Sequence, residues 1–292
     1  MADFEAIATA IGKSTGRPFI LEGRQHAGGG CINRAAAIRG KDSRRFFVKL
    51  NAARLDGMFA AEAEGLREME ATQAVRVPHP VAHGVAGDSA FLALEWLDLG
   101  GRGDAAELGR QLCAMHRVTT PTFGWHRDNT IGATPQENTP SHDWIGFWRE
   151  RRLGPQLGLT RHNRASSRLL GKGEQLLDKL HVFFPGYTPL PSLLHGDLWS
   201  GNFGFCQGQA VLFDPAVYFG DREADMAMTE LFGGFPADFY AAYRESWPLD
   251  PGYPARRQLY NLYHVLNHFN LFGGGYAQQA ERILDGLLAE CA

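Results

Sequence analysis

The sequence predicts an α+β fold of two lobes, a small β-rich one over residues 1–97 and a larger, mostly helical one over residues 98–292. Three features of the chain predict it. Between residues 19 and 97, short apolar runs rich in β-branched and aromatic residues alternate with turn signals around one helical stretch. The run Asp98-Leu99-Gly100-Gly101-Arg102-Gly103-Asp104 then interrupts this pattern with glycine and charge, as a boundary between lobes does. Beyond it apolar residues recur at helical spacing, first over residues 105–116, where Leu108, Leu112 and Met115 share a face. A chain of 292 residues with 44% apolar content can bury one large core or two lobes.

Within the first lobe the earliest chemical signal is Gly28-Gly29-Gly30-Cys31-Ile32-Asn33. Glycines let backbone N–H groups approach anionic oxygens with no Cβ in the way, so Gly28, Gly29, Gly30, Cys31 and Asn33 are candidates for a phosphate cradle. Three glycines in a row are as often a plain flexible turn, and the phosphate reading rests on the strand that follows. Residues 44–50 form a β-rich run carrying Lys49, and Glu62 comes thirteen residues later in a helical stretch over residues 58–69. Phe59, Leu66 and Met69 stand three, four and seven positions from Glu62, so Glu62 lies on the apolar face and is the better partner for Lys49 than Glu64 or Glu68. Residues 91–97 then read as a buried strand, and its end, Glu95, Trp96 and Leu97, resembles the crossover whose main-chain groups pair with an adenine edge in kinase-like folds.

The second lobe carries the densest motif. His195-Gly196-Asp197-Leu198-Trp199-Ser200-Gly201-Asn202 is followed by two short apolar runs around Gln207-Gly208, which predict a hairpin, and then by Phe213-Asp214-Pro215. Folding the hairpin back is expected to bring Asn202 and Asp214 side by side as hard oxygen ligands for Mg²⁺, while Asp197 faces an acceptor hydroxyl as general base. An Asp, an Asn five positions on and a second Asp past a hairpin are the parts that kinases use to move a phosphoryl group from ATP. Elsewhere, residues 123–138 read as a long Gly-, Pro- and Asn-containing loop near the substrate, and residues 143–152 as a helix whose aromatics pack the lobe. His116 reads as a helix-end or core histidine, and Asp225 resembles the buried acid with which kinase-like folds hold the backbone of the loop that carries the base, here at Asp197. His264 and His268 share a helix face but lack a third zinc ligand; packing or a substrate contact is the better reading.

These residues carry a resemblance to a family. Gly29-Gly30-Cys31-Ile32-Asn33, Phe47-Val48-Lys49, Arg76-Val77-Pro78, the loop from His195 to Asn202 with Trp199 in it, Phe213-Asp214-Pro215-Ala216, Leu231-Phe232-Gly233-Gly234-Phe235-Pro236 and Leu266-Asn267-His268 all resemble the fructosamine kinase (ketosamine 3-kinase) family. That family is related in fold to aminoglycoside phosphotransferases and choline kinases. The resemblance implies a two-lobed protein-kinase-like fold with the nucleotide between the lobes, ATP and Mg²⁺, and phosphorylation of the 3-hydroxyl of a ketosamine, small or protein-bound. The phosphorylated adduct releases its amine, so the implied role is deglycation. Trp199 and His268 are the candidate substrate contacts. A kinase of another amine-bearing acceptor, such as an aminoglycoside or choline, is the alternative reading, with a nucleotide-binding pseudokinase behind it.

Bulk properties narrow the setting. A net charge of −3 gives no electrostatic case for nucleic acid or an anionic membrane, and no apolar run or leader suggests membrane insertion or secretion. Cys31, Cys113, Cys206 and Cys291 are far apart, without a disulfide or zinc spacing, as suits a monomer in a reducing cytoplasm. Cys31, beside Lys49 and the glycines, is expected to be reactive, with a Cys31-linked dimer on oxidation.

Overall fold

The computed structural model describes residues 2–28 and 32–291. In chain order the elements are α1 (Phe4–Ser14), β1 (Leu21–Ala27), β2 (Arg34–Gly40), β3 (Arg45–Ala52), α2 (Asp56–Ala71), β4 (Pro80–Ala86), β5 (Ser89–Glu95), α3 (Ala105–His116), β6 (Asn129–Ile131) and β7 (Thr134–Gln136). They continue with α4 (Trp144–Trp148), α5 (Gly154–His162), α6 (Ser167–Lys179), β8 (Ser192–Leu194), β9 (Phe203–Cys206), β10 (Gln209–Leu212), β11 (Tyr218–Gly220), α7 (Arg222–Leu231), α8 (Ala237–Ser246), α9 (Tyr253–Phe272) and α10 (Tyr276–Glu290). The chain divides into two compact units. One comprises Met1–Asp104 with Phe203–Pro215; the other comprises Ala105–Asn202 with Ala216–Ala292.

The first unit is an antiparallel sheet in the order β1-β2-β3-β5-β4 with α1 and α2 packed on it. Alternation along β3 decides which side chain faces which helix. Phe46, Val48 and Leu50 join Ile7 and Ile11 of α1 in one buried cluster, so Lys49 has the opposite parity and faces away from it. On α2, Phe59, Leu66 and Met69 are fully buried, and Glu62 lies on the stripe they define. The hairpin β9–β10 belongs to this unit, which a single boundary after Leu97 did not anticipate. Its attachment is long-range in sequence: Leu212 N–H donates to Arg76 O (2.9 Å), Gly100 N–H to Phe205 O (2.8 Å), and the Phe205 ring lies where a Cβ at position 103 would sit.

The second unit is mostly helical. α3 packs on α8, α9 on α7 and α10, and α6 on α10. Two short ribbons, β6–β7 and β8–β11, complete it. Its core is aromatic: Trp144, Phe147 and Trp148 are buried, and the Trp144 indole donates to the Tyr260 hydroxyl (3.0 Å). A π-helical stretch, Arg149–Leu153, follows α4 and turns the fully buried Arg152 guanidinium over the Tyr218 ring at 4.0 Å. Residues 123–138 are not the open loop that their composition suggested. They hold the β6–β7 ribbon, and buried Gln136 and Asn138 accept from Tyr263 and Arg152 (both 2.7 Å). Strands of three residues are too short to leave a periodic signal in sequence.

Candidate active site

In the β-rich unit, Lys49 is 6% exposed, and its Nζ lies 2.5 Å from Glu62 Oε1 and 2.6 Å from Asp214 Oδ1. Burial works against the ammonium, but the Asp214 and Glu62 carboxylates outweigh it and hold the Lys49 pKa above its ordinary value. Lys49 is therefore a fixed cation at any working pH. Asp214 adopts φ +59°, a left-handed conformation that Asp tolerates better than most residues. That backbone turns its carboxylate, 40% exposed, to Lys49 on one side and solvent on the other. Asn33 accepts from Asn51 Nδ2 (2.8 Å), which ties it to the strand of Lys49. Gly28 is exposed; Gly29, Gly30 and Cys31 lie outside the described residues.

At the end of β5 the side chains are engaged locally. Glu95 accepts from Arg76 and from His79 N–H (both 3.3 Å). The Trp96 indole donates to Asp98 (2.7 Å) with the Arg45 guanidinium over its ring. In the main chain, Glu95 N–H donates to His79 O and Leu97 O accepts from Leu99 N–H (both 2.9 Å). At this strand end Glu95 N–H and Leu97 O are therefore engaged within the chain.

In the helical unit the loop after β8 is fixed through its main chain. Asp225, 1% exposed near the start of α7, accepts from His195 N–H (2.7 Å) and Gly196 N–H (2.9 Å). Gly196 adopts φ +81°, and a Cβ there would come 2.1 Å from Ala216 O, so the turn accepts no other residue without movement. Burial raises the Asp225 pKa, but the hydrogen bonds from His116 and the Gly196 amide, with the facing His116 and His195 rings, more than reverse it. His116 is fully buried, and that burial holds it below the usual histidine range despite Asp225. The consistent state is a carboxylate accepting from neutral His116 Nε2–H (3.1 Å), while His116 Nδ1 accepts from the Tyr243 hydroxyl (2.8 Å).

Asp197 follows this turn. Its N–H donates to His195 Nδ1 (3.2 Å), and its carbonyl accepts from Asn202 Nδ2 (2.8 Å). A carbonyl can only accept, so the Asn202 amide nitrogen is committed to Asp197 and its Oδ1 is the group left to meet a cation. That orientation suits Mg²⁺, which takes hard oxygens, and so does the carboxylate of Asp214. Among the described residues no three of His, Cys, Asp and Glu cluster as a metal site. Trp199 is 37% exposed, and its ring covers the place where a Cβ of residue 201 would sit. Ser200 Oγ donates to Phe232 O (2.7 Å). His268 on α9 is partly buried against Phe232, Phe272 and Tyr276.

The sequence reading named His116 and Asp225 but not the Tyr243 hydroxyl that completes their network. It missed the three rings around His268 as well. Phe232-Gly233-Gly234 and Phe272-Gly273-Gly274, the same tripeptide twice, were the available signal.

The chain matches the fructosamine kinase family over residues 3–290. A probable ketoamine kinase of Synechocystis is 47% identical over 287 residues, covering 97% of this chain and 96% of the relative. A chloroplastic protein-ribulosamine 3-kinase of Arabidopsis thaliana is 46% identical over 266 residues, covering 89% of this chain and 81% of the relative. A crystal structure from Haemophilus somnus named for fructosamine-3-kinase superposes with TM-score 0.89 at 26% identity, covering 98% of this chain and 97% of that one.

Proposed function

The chain belongs to the fructosamine kinase family, and we propose that it transfers the γ-phosphoryl group of ATP to the 3-hydroxyl of a ketosamine. The observation that carries this reading is the set of committed groups: a buried ammonium paired with two carboxylates, and an Asp whose loop is held by a second, buried Asp. In the reaction, Asp197 takes the proton of the acceptor hydroxyl as the O–P bond forms. The bond from the γ-phosphorus to its bridging oxygen breaks, and ADP leaves. Lys49, kept charged by Glu62, neutralises phosphate oxygens, and the segment from Gly28 to Asn33 supports them. Glu95 C=O and Leu97 N–H pair with the adenine.

Asn202 Oδ1 and Asp214 would hold Mg²⁺, which, when bound, neutralises charge on the phosphates. Asp225 keeps the Asp197 loop in register, and Trp199 and His268 contact the acceptor. A phosphate on C3 stands next to the C2 carbonyl. Enolisation towards C1 expels it, and hydrolysis of the resulting imine frees the amine, which makes the outcome deglycation. Among the described residues no helix is long and apolar enough to cross a membrane, and Cys113 and Cys206 are buried and unpaired.

The test is an acceptor panel with ATP, following ADP release and the phosphorylated product. N-ribulosyl or N-fructosyl amines are expected to be phosphorylated, and their 3-deoxy analogues, which lack the nucleophile, are not. Turnover of kanamycin or choline with none of any ketosamine would refute the assignment.

A further inference from the structure

The β6–β7 ribbon is joined to the segment after Pro215 by buried carboxamides, and the junction reaches the Asp197 loop by contacts separate from those of Asp225. Asn129 Nδ2 donates to Val217 O (2.7 Å), and Gln136 Nε2 donates to Ala216 O (3.2 Å). Ala216 in turn bears on the residues just before Asp197. Its N–H donates to His195 O (2.8 Å), and its carbonyl oxygen lies so close to Gly196 that no Cβ fits there.

Gln136 is 1% exposed, and both ends of its amide are committed. Nε2 donates to Asn129 Oδ1 (2.8 Å) as well as to Ala216 O, and Oε1 accepts from the Tyr263 hydroxyl (2.7 Å). An amide oxygen only accepts and an amide nitrogen only donates, so Tyr263 fixes which way round the Gln136 amide lies. Asn129 Oδ1 takes a second hydrogen from Asn138 Nδ2 (3.0 Å), and Asn138 Oδ1 takes one from Arg152 (2.7 Å). The Asn129 amide is thereby oriented in the same way. Tyr263 is buried on α9, within reach of the Asp197 charge. Burial pushes its phenol up to about 12 against Arg152 and Gln156, and Asp197 adds to the rise, so the hydroxyl stays a donor.

Resting on the reading of Asp197 as the base, we propose that Gln136 is a positioning residue for phosphoryl transfer: it holds Ala216, and Ala216 holds the His195-Gly196 turn that aims Asp197 at the acceptor hydroxyl. Asp225 fixes the two N–H groups of that turn, and Gln136 fixes the carbonyl against which its glycine packs. Tyr263 serves the same end by orienting the Gln136 amide. A misplacement of about 1 Å at a reacting group can cost about 10²-fold in rate, so a side chain that never touches the acceptor can still govern turnover.

The experiment removes Gln136 in the presence and in the absence of Asp197. Turnover of an N-ribulosyl amine at saturating ATP is measured for wild type, Gln136→Met, Asp197→Asn and the double variant, with KM for the acceptor and Mg²⁺-ATP affinity alongside. Gln136→Met keeps the length of the side chain and removes its donor and acceptor. It is expected to lower kcat about 10–10²-fold, with KM and nucleotide affinity within about twofold of wild type. Once Asp197 is replaced, the same substitution is expected to change the rate by less than about twofold, because the residue it aims is gone. Tyr263→Phe keeps the ring and removes the hydroxyl alone, and about three- to tenfold in kcat is expected to be lost, again only when Asp197 is present. It carries the test should Gln136→Met not fold. The same factor in both backgrounds, a loss carried by KM alone, or an unchanged kcat in Gln136→Met overturns the inference and leaves the base standing. A near-wild-type rate for Asp197→Asn overturns both.

Discussion

In the β-rich unit Lys49, Glu62 and Asp214 are held by contacts between charged side chains, whereas in the helical unit Asp197 and Asn202 are held through main-chain groups that Asp225 anchors. The first arrangement keeps a cation charged in a buried position. The second sets the position of an acid through its backbone, with Asn202 Nδ2 also 3.3 Å from its Oδ2. Charge placed by charge depends on the partners' identities; position set by backbone depends on whether one turn can form. Substitutions in the two units should therefore fail differently.

Within the β-rich unit the largest effect is expected for Asp214→Ala. It removes a carboxylate from Lys49 and a hard oxygen from the proposed cation site, so Mg²⁺-ATP affinity is lost and kcat/KM falls about 10²–10³-fold. Calorimetry with Mg²⁺-ATP checks it, and unchanged affinity would remove Asp214 from the cation site. Glu62→Gln is next, at about 10–100-fold in kcat/KM, because Lys49 keeps Asp214 and loses an orienting partner. If Glu62 only filled space, the amide would preserve the rate.

Gly196→Ala probes the other unit. Forcing a Cβ against Ala216 O at positive φ costs about 1–3 kcal/mol, which lowers the melting temperature by a few degrees and reduces kcat through the displaced Asp197, with nucleotide affinity intact. A variant as stable and active as wild type would show that the turn has room to spare.

The smallest effect is pH-dependent and confined to the helical unit. Burial, with charge from His268, holds His264 down from 6.5 to about 3, so between these values the folded chain binds fewer protons than the unfolded one. Its stabilising contribution is present above 6.5 and lost as pH falls through this window. Glu223, pushed up by burial to about 7, acts with the opposite sign between 7 and 4.5, so the informative quantity is a difference between chains. Denaturation midpoints at pH 7.5 and 5 should show His264→Asn losing less stability than wild type on acidification. Equal losses would mean that His264 protonates freely in the folded state.

The same contrast explains what was legible in the sequence. Lys49 and Glu62 could be paired because alternation along a strand and 3.6-residue spacing along a helix each specify a face. The hairpin appeared where two apolar runs flank a turn, at β9 and β10. Its membership of the β-rich unit was hidden, since it depends on long-range contacts of Arg76, Gly100 and Gly103 that no local pattern encodes. In the helical unit the Asp197 motif was legible as a motif and Asp225 by resemblance. The Tyr243 hydroxyl and the rings around His268 were not, because α7, α8, α9 and α10 meet there by tertiary packing.

The central claim is that the helical unit supplies the base and the β-rich unit the phosphate contacts. Asp197→Asn tests it most directly, with turnover of an N-ribulosyl amine and Mg²⁺-ATP affinity measured on the same preparation. The account predicts a kcat lower by about 10²–10⁴-fold with ATP affinity within about threefold of wild type. Near-wild-type turnover, or a loss of ATP affinity that matches the loss of rate, would contradict it.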